Sequence, residues 1–180
     1  MERQTILERI KRIIGEADLQ WVDDQPGDPY LVVSKEKLLR LAIYLKGDPY
    51  LAFDTLACLS GVHYMEDADE MEVVYHLCSL RYRHQLIVKV RLDRPAFFPH
   101  FYLRVDSVSG IWPAAGWMER EAYDMFGIHF VGHQDFRRLL LPPDWEGHPL
   151  QKDYTEAAAY RGIGTTREEV EVIVVGLQEK

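Results

Sequence analysis

His129 and His133 stand four residues apart, and Glu146 and His148 follow shortly after. On a helix, histidines at i and i+4 share a face and can hold one Zn ion between them. Gly127 and Gly132 bracket this stretch, however, and glycines at both ends argue against a helix there. The sharper expectation is a stand-alone metal-dependent hydrolase built on His129, His133 and His148. The simpler one is loop histidines bonded to backbone groups.

Glu119, Glu121 and Asp124 could form a carboxylate pair for acid–base work. On a helix, Glu121 and Asp124 lie three apart on one face, and Arg120 and Asp124, four apart, can pair. Positions 119 to 121 point to different sides, which suits several contacts better than convergence on one substrate. Met118, Ala122, Met125 and Phe126 are expected to pack inward. Arg137 and Arg138 then set two guanidinium forks beside the apolar Leu139, Leu140 and Leu141, an arrangement suited to bidentate pairing with carboxylates. The sequence contains no Gly-rich phosphate loop, and no Ser or Cys nucleophile with a nearby base is visible. Three of the four Trp residues fall between Trp112 and Tyr154, interleaved with these charges. Aromatics with Arg inside a charged rim are what protein interfaces enrich, so the segment is expected to dock.

A chain of 180 residues with 47% hydrophobic and 28% charged content suits one globular domain. Net charge of −8 argues against general nucleic-acid binding, which depends on neutralising phosphates. A basic stretch (Arg81, Arg83, Lys89, Arg91, Arg94, Arg104) follows an acidic cluster at Glu66, Asp67, Asp69, Glu70 and Glu72. It is expected to be a solvated loop and strand face rather than an RNA site. Cys58 and Cys78 are isolated, too few to ligate an iron–sulfur cluster, and are expected to be buried thiols. No apolar run reaches the roughly 18 residues of a membrane helix, and the charged start lacks the apolar core of a signal peptide. Any membrane association is therefore expected to run through partners.

The elements that must position these residues follow from periodicity. Ile6, Ile10, Ile13 and Ile14 recur at helical spacing up to Gly15. Tyr30 to Val33 is a short strand, and Ser34 can cap a helix whose apolar face is Leu38, Leu41, Ala42 and Leu45. Asp54 is expected to cap a brief helix reaching Gly61. Residues 72–80, rich in Val, Tyr and Leu, and residues 86–92, which alternate, are expected to form an antiparallel hairpin, with Phe101 to Val105 as a third strand. A helix begins after Pro113 and stops at Gly127. Beyond Phe136 the prolines forbid long elements, although Val170 to Val175 could be a strand or a partner-bound extension. The expected class is α+β: a two-layer domain over 1–141 with a largely antiparallel or mixed sheet packed by helices, followed by an extended partner-binding segment over 142–180.

Glu119-Arg-Glu121, Asp124-Met-Phe126, His133, Arg137, Leu139-Leu140, and then Asp144-Trp-Glu-Gly-His-Pro-Leu150 with Lys152-Asp-Tyr154, keep the order and spacing of one family's hallmarks. The chain resembles the 30-kDa-type subunit (the C subunit) of proton-pumping NADH:quinone oxidoreductase, respiratory complex I. Gln134, Phe136, Gln151 and Thr155 depart from the family's usual Pro, Leu, Arg and Pro. The resemblance implies a docking component without a cofactor, within a complex that uses NADH, FMN, iron–sulfur clusters and quinone. It implies a place beside the larger D subunit, which helps form the quinone site, near the cluster-bearing B and I subunits, peripheral on the cytoplasmic side of the membrane. Glu119, Arg120, Glu121, Asp124, Arg137, Arg138, Trp145, Lys152 and Asp153 are the interface residues it implies. Related subunits in energy-converting hydrogenases and in dehydrogenases with other donors are the alternative within the same superfamily.

Overall fold

The computed structural model of the protein describes residues 3–64, 70–94 and 103–165. Five strands, β1 (Leu19–Val22), β2 (Tyr30–Val33), β3 (Thr55–Tyr64), β4 (Glu70–Ser79) and β5 (His84–Asp93), form one sheet in the order β1-β2-β5-β4-β3. β4 and β5 stay in register from Glu70 opposite Asp93 to Ser79 opposite His84. Because the register is unbroken, Met71, Val73, Tyr75 and Leu77 share one buried face with Leu86, Val88, Val90 and Leu92. The parallel pairing of β2 with β5 makes the sheet mixed.

Two helices supply the second layer. α1 (Arg3–Ile14) buries Ile6, Ile10 and Ile14, leaving Ile13 half-buried, and α2 (Lys35–Gly47) buries Leu38, Leu41, Ala42 and Leu45. Each such side chain contributes about 1.5–3 kcal/mol of burial. Ser34 stands at the N-terminal boundary of α2 as expected, but its hydroxyl turns to Asp18 at 3.4 Å instead of capping the helix.

The helix expected over 54–61 is instead the edge strand β3. Leu56 and Leu59 are buried three residues apart, a helical spacing, because a bulge between Leu56 and Cys58 inserts an extra residue into the ladder. Period alone misleads there, and pairing with β4 decides the conformation. β1 has no counterpart among the expected elements; its four residues are too few to show a period. The expected third strand is present as β6 (Leu103–Asp106), but not in the main sheet. It pairs in parallel with β7 (Ile128–Val131), and α3 (Ala115–Phe126) forms the crossover that a parallel pair requires. Phe101, Tyr102 and the candidate strand Val170–Val175 lie outside the described residues, as do Glu66, Asp67 and Asp69. From Gly132 onward turns dominate, ending in the small hairpin β8 (Ala159–Tyr160) and β9 (Ile163–Gly164). No helix among the described residues is long and apolar enough to cross a membrane.

Candidate functional site

The residues with chemical potential gather on and around α3. One side of this helix packs on β3: Ala122 and Met125 are buried, and the Phe126 ring lies so close to Gly61 that a Cβ there would meet it at 2.6 Å. A second side is covered by the loop from His133 to His148. Under that cover sit Glu119, Arg120 and Asp124, at 0%, 7% and 0% exposure. Ionised groups so placed cost several kcal/mol unless every lone pair and proton finds a partner. The structure supplies those partners.

Glu119 reaches back to the segment after β6. Its Oε1 accepts the Val108 N–H at 2.7 Å, and its Oε2 accepts the Ser107 hydroxyl at 2.6 Å. Burial is the main influence on this carboxyl and raises its pKa above the ordinary 4.5, against the opposing pull of Ser107, Val108 and His133. Arg120 reaches forward. Its Nε donates to Arg137 O at 3.0 Å, its Nη2 to Arg138 O at 3.1 Å, and its Nη1 stands 3.5 Å from Asp135. The guanidinium also lies over the Trp117 ring, 5.0 Å from its centre.

Asp124 gathers the rest. Its Oδ1 accepts from Arg138 Nη1 at 2.7 Å, and its Oδ2 accepts the N–H groups of Leu139, Leu140 and Leu141 at 3.0, 2.7 and 2.8 Å. Burial pushes this carboxyl upward, but the Leu141 amide, the Arg138 guanidinium and the amides of Leu140 and Leu139 together hold its pKa below the ordinary 3.8. Arg138 in turn donates to Trp145 O and Gly147 O, both at 3.0 Å. The expected Arg120–Asp124 pair is therefore not made. Each residue has a partner outside the helix, and the two serve different parts of one loop.

Gly127 ends α3 at φ +78°, with its N–H on Tyr123 O at 2.8 Å. The chain beyond is sutured back onto this corner. His148 Nδ1 donates to Asp124 O at 2.9 Å, Gln151 Nε2 to Phe126 O at 2.7 Å, and Leu150 N to Met125 O at 3.0 Å. Lys152 N donates to His63 Nδ1 at 2.9 Å, and Arg94 pairs with Asp153 at 2.8 Å. His63, Ser107 and Val108 belong to this site without any local pattern having marked them, and Arg94 was marked only as part of the basic stretch; the folded chain brings all four to it.

The expected site residues thus fall into two groups. Arg120, Asp124 and Arg138 turn inward and hold the loop, and Glu119 turns inward to the segment after β6, while Glu121, Arg137, Lys152 and Asp153 are exposed and Trp145 is half-buried. The exposed group is joined by Trp117 at 65%, Leu140 at 62% and Leu150 at 51%. Of the inward quartet expected on α3, Met118 and Phe126 are partly buried and pack against the core.

The three histidines do not converge. His129 lies in β7 against Phe136, and burial beside Arg104 lowers its pKa. His133 donates from Nε2 to Gly116 O and accepts the Asp135 N–H at Nδ1, and His148 is engaged by Asp124 O. Among the described residues, no group of three or more His, Cys, Asp or Glu is arranged to hold a metal ion. The basic stretch is largely paired: Lys89 and Arg91 both meet the buried Glu72, each at 3.1 Å. The expectation of buried thiols is corrected too. Cys58 is exposed and Cys78 half-buried, because both lie on the sheet face away from the helices.

Comparison with known proteins gives the family of the chain as a whole. A family model described as the respiratory-chain NADH dehydrogenase, 30 Kd subunit, matches residues 31–160. The chain is 40% identical over 155 residues to the NADH-quinone oxidoreductase C subunit of Roseiflexus sp. (strain RS-1), covering 85% of this chain and 84% of that one. It is 42% identical over 156 residues to the C subunit of Chloroherpeton thalassium, of which it spans 61%. Against the C subunit of Chlorobium phaeobacteroides it is 44% identical over 124 residues, 68% of this chain and 70% of that one. A chain in the structure of the membrane-bound sulfane sulfur reductase, an archaeal respiratory membrane complex, has a TM-score of 0.66 over 84% of this chain and 85% of its own. At 23% identity that likeness establishes a shared fold. The helix that buries Glu119, Arg120 and Asp124, and the loop they brace, lie in a chain that belongs to the 30-kDa subunit family of the respiratory-chain NADH dehydrogenase.

Proposed function

We propose that this protein is a docking subunit, without a cofactor of its own, in the hydrophilic arm of an NADH:quinone oxidoreductase. The complex passes electrons from NADH through FMN and iron–sulfur clusters to quinone and couples this to proton translocation. In this reading the chain braces the D subunit at the quinone site, with the cluster-bearing B and I subunits nearby, peripheral on the cytoplasmic side of the membrane. In this reading the segment that begins at residue 142, folded back onto the domain where it is described, takes part in binding partners.

The observation that carries the reading is the division of labour around α3. Three charged side chains, Arg120, Asp124 and Arg138, hold one irregular loop still, and the exposed Leu140 of that loop stands with the exposed Trp117 of α3. A pre-ordered loop loses less entropy on association than a flexible one, and exposed Trp and Leu rimmed by charge suit a partner's surface. Arg120, Asp124 and Arg138 then act on docking by positioning the loop, and Glu119 by anchoring α3 to the segment after β6, while Trp117, Glu121, Arg137, Leu140 and Leu150 make the contacts.

The test is gentle detergent purification of the tagged chain from its native membranes, with identification of the co-purifying proteins and an NADH:quinone activity assay. Recovery with the quinone-site and cluster-bearing subunits, and with that activity, is expected. Recovery with hydrogenase subunits or another donor module would replace the electron donor in this reading. Recovery alone would overturn it.

A further inference from the structure

Residues 144–165 enclose a cavity of about 230 Å³ that the bracing of the loop does not explain. Its walls include Trp145, Tyr154 and Tyr160, and Asp144 and Glu146 also line it. The Trp145 and Tyr160 rings have centres 5.0 Å apart and planes tilted by 47°. Trp145 Nε1 donates to the Tyr154 hydroxyl at 3.1 Å, and the Tyr154 ring edge sits 2.9 Å from where a Cβ on Gly147 would be. The Tyr160 hydroxyl donates to Asp144 at 2.8 Å. The backbone of the Trp145 side is fixed from below by Arg138, which donates to Trp145 O and Gly147 O. The three rings are therefore held by specific bonds.

A cavity walled by aromatic rings and rimmed by carboxylates favours a cation. The ring faces carry negative quadrupole charge, and a carboxylate adds charge-assisted hydrogen bonds. The chain itself demonstrates the chemistry at the rim. Arg161 lies 5.3 Å from the Tyr160 ring centre and grips Asp144 through Nε and Nη2 at 3.1 and 2.9 Å. Arg161 itself lines the cavity on the Asp144 side, with its charge paired there and its side chain 67% exposed. Glu146 has no ion-pair or hydrogen-bond partner among the described residues. One carboxylate is thus paired with an internal arginine, and the exposed Glu146 is the one open to a cation from outside.

We propose that this cage binds the guanidinium of an arginine side chain presented by a partner protein, stacked against Trp145 and paired with Glu146. A planar guanidinium can stack and fork at once, which a lysine ammonium cannot. The net charge of −8 favours a basic partner segment. That the arginine comes from a protein rests on the docking role proposed above; the preference of the cage for a guanidinium does not.

The test is a titration of the full chain, labelled for nitrogen NMR, with Nα-acetyl-arginine amide, its lysine counterpart and its neutral citrulline isostere. The Trp145 indole N–H signal is assigned with Trp145→Phe. A saturable shift of that signal by the arginine probe is expected, with citrulline at least about tenfold weaker and lysine weaker than arginine. Glu146→Gln, at an exposed position, should weaken arginine binding severalfold while the remaining spectrum stays unchanged. No saturable shift at Trp145, an equal response to citrulline, or a lysine probe binding as tightly as arginine would each overturn the assignment. The outcome is separate from that of the purification: a chain recovered without partners sinks the docking role and leaves an arginine-selective cage standing, and the reverse holds equally.

Discussion

Arg138 meets Asp124 at 2.7 Å, and the other oxygen of that carboxylate receives three successive backbone N–H groups, from Leu139, Leu140 and Leu141. The loop there has no sheet or helix partner, yet its N–H groups are turned inward and must be satisfied. One buried side chain therefore takes the place of a strand. The same contact fixes the start of the loop that runs on to the aromatic cage.

If this relationship holds the corner together, the two side chains should be energetically coupled. Asp124→Ala is expected to cost about 3–5 kcal/mol, because it leaves a mostly buried guanidinium and three amides without an acceptor. Arg138→Ala should be similarly costly, and the double variant should fall short of the sum by about 0.5–3 kcal/mol. Urea denaturation of the four proteins measures this, and strict additivity would refute the coupling.

Glu119 makes a prediction about pH. Its folded pKa is raised above 4.5, chiefly by burial, so its contribution to stability is fully present below that value and is lost as the pH rises through the folded pKa. Glu119→Gln keeps the shape and removes the titration. The stability of the natural protein relative to this variant should decline as the pH rises from 4.5 through the higher folded pKa. Asp124 runs in the opposite sense: its stability is present above 3.8 and lost as the pH falls through its lower folded pKa. Chemical denaturation across that range, with the two proteins in parallel, reads the difference directly. A constant difference would mean that Glu119 does not titrate in the buried setting described here.

Strands β2, β4 and β5 and the two helices that cover the sheet were legible because the burial of their residues follows period. Leu86 to Leu92 alternate cleanly, and Leu38 to Leu45 recur as a helix stripe, so local spacing and tertiary position agree. Legibility failed where they part company. The bulge at Leu56/Cys58 gave a strand a helical spacing. β6 alternates as a strand should, but no local feature says whether its partner is β5 or the distant β7. At the site, residue types in the segment 119–138 drew attention to α3 and the loop over it, but the direction of each side chain was not readable. Arg120 and Asp124 have the spacing of a helix pair, yet a loop that covers the helix offers each a closer-fitting partner. A charge that looks solvated in one dimension can be buried by chain that returns much later.

Gly127 tests the corner from the backbone side. It takes φ +78°, and a Cβ would also stand 2.8 Å from the His148 ring. Gly127→Ala should therefore cost about 1–2 kcal/mol for the left-handed conformation and more for displacing His148 from Asp124 O. Gly132→Ala, at φ +86° with open space around it, should show the conformational cost alone. Thermal unfolding should rank Gly127→Ala below Gly132→Ala. Equal melting temperatures would mean that the His148 ring moves aside freely and does not fasten the loop.

The two groups of site residues should separate experimentally. Trp117→Ala, Glu121→Lys and Arg137→Ala change exposed side chains, and Arg137 is 72% exposed with its one ion pair to the neighbouring Asp135. Surface changes of this kind alter stability by about 0.5 kcal/mol or less, so the melting temperature should hold while the yield of assembled complex falls. Arg138→Ala should lower both, because it loosens the loop before any partner arrives. Co-purification from membranes, quantified beside the melting temperature of each isolated variant, distinguishes the two behaviours. Normal assembly in all three exposed variants would move the contact surface away from α3, whereas a fall in both quantities for Trp117→Ala would show that its stacking with Arg120 belongs to the brace.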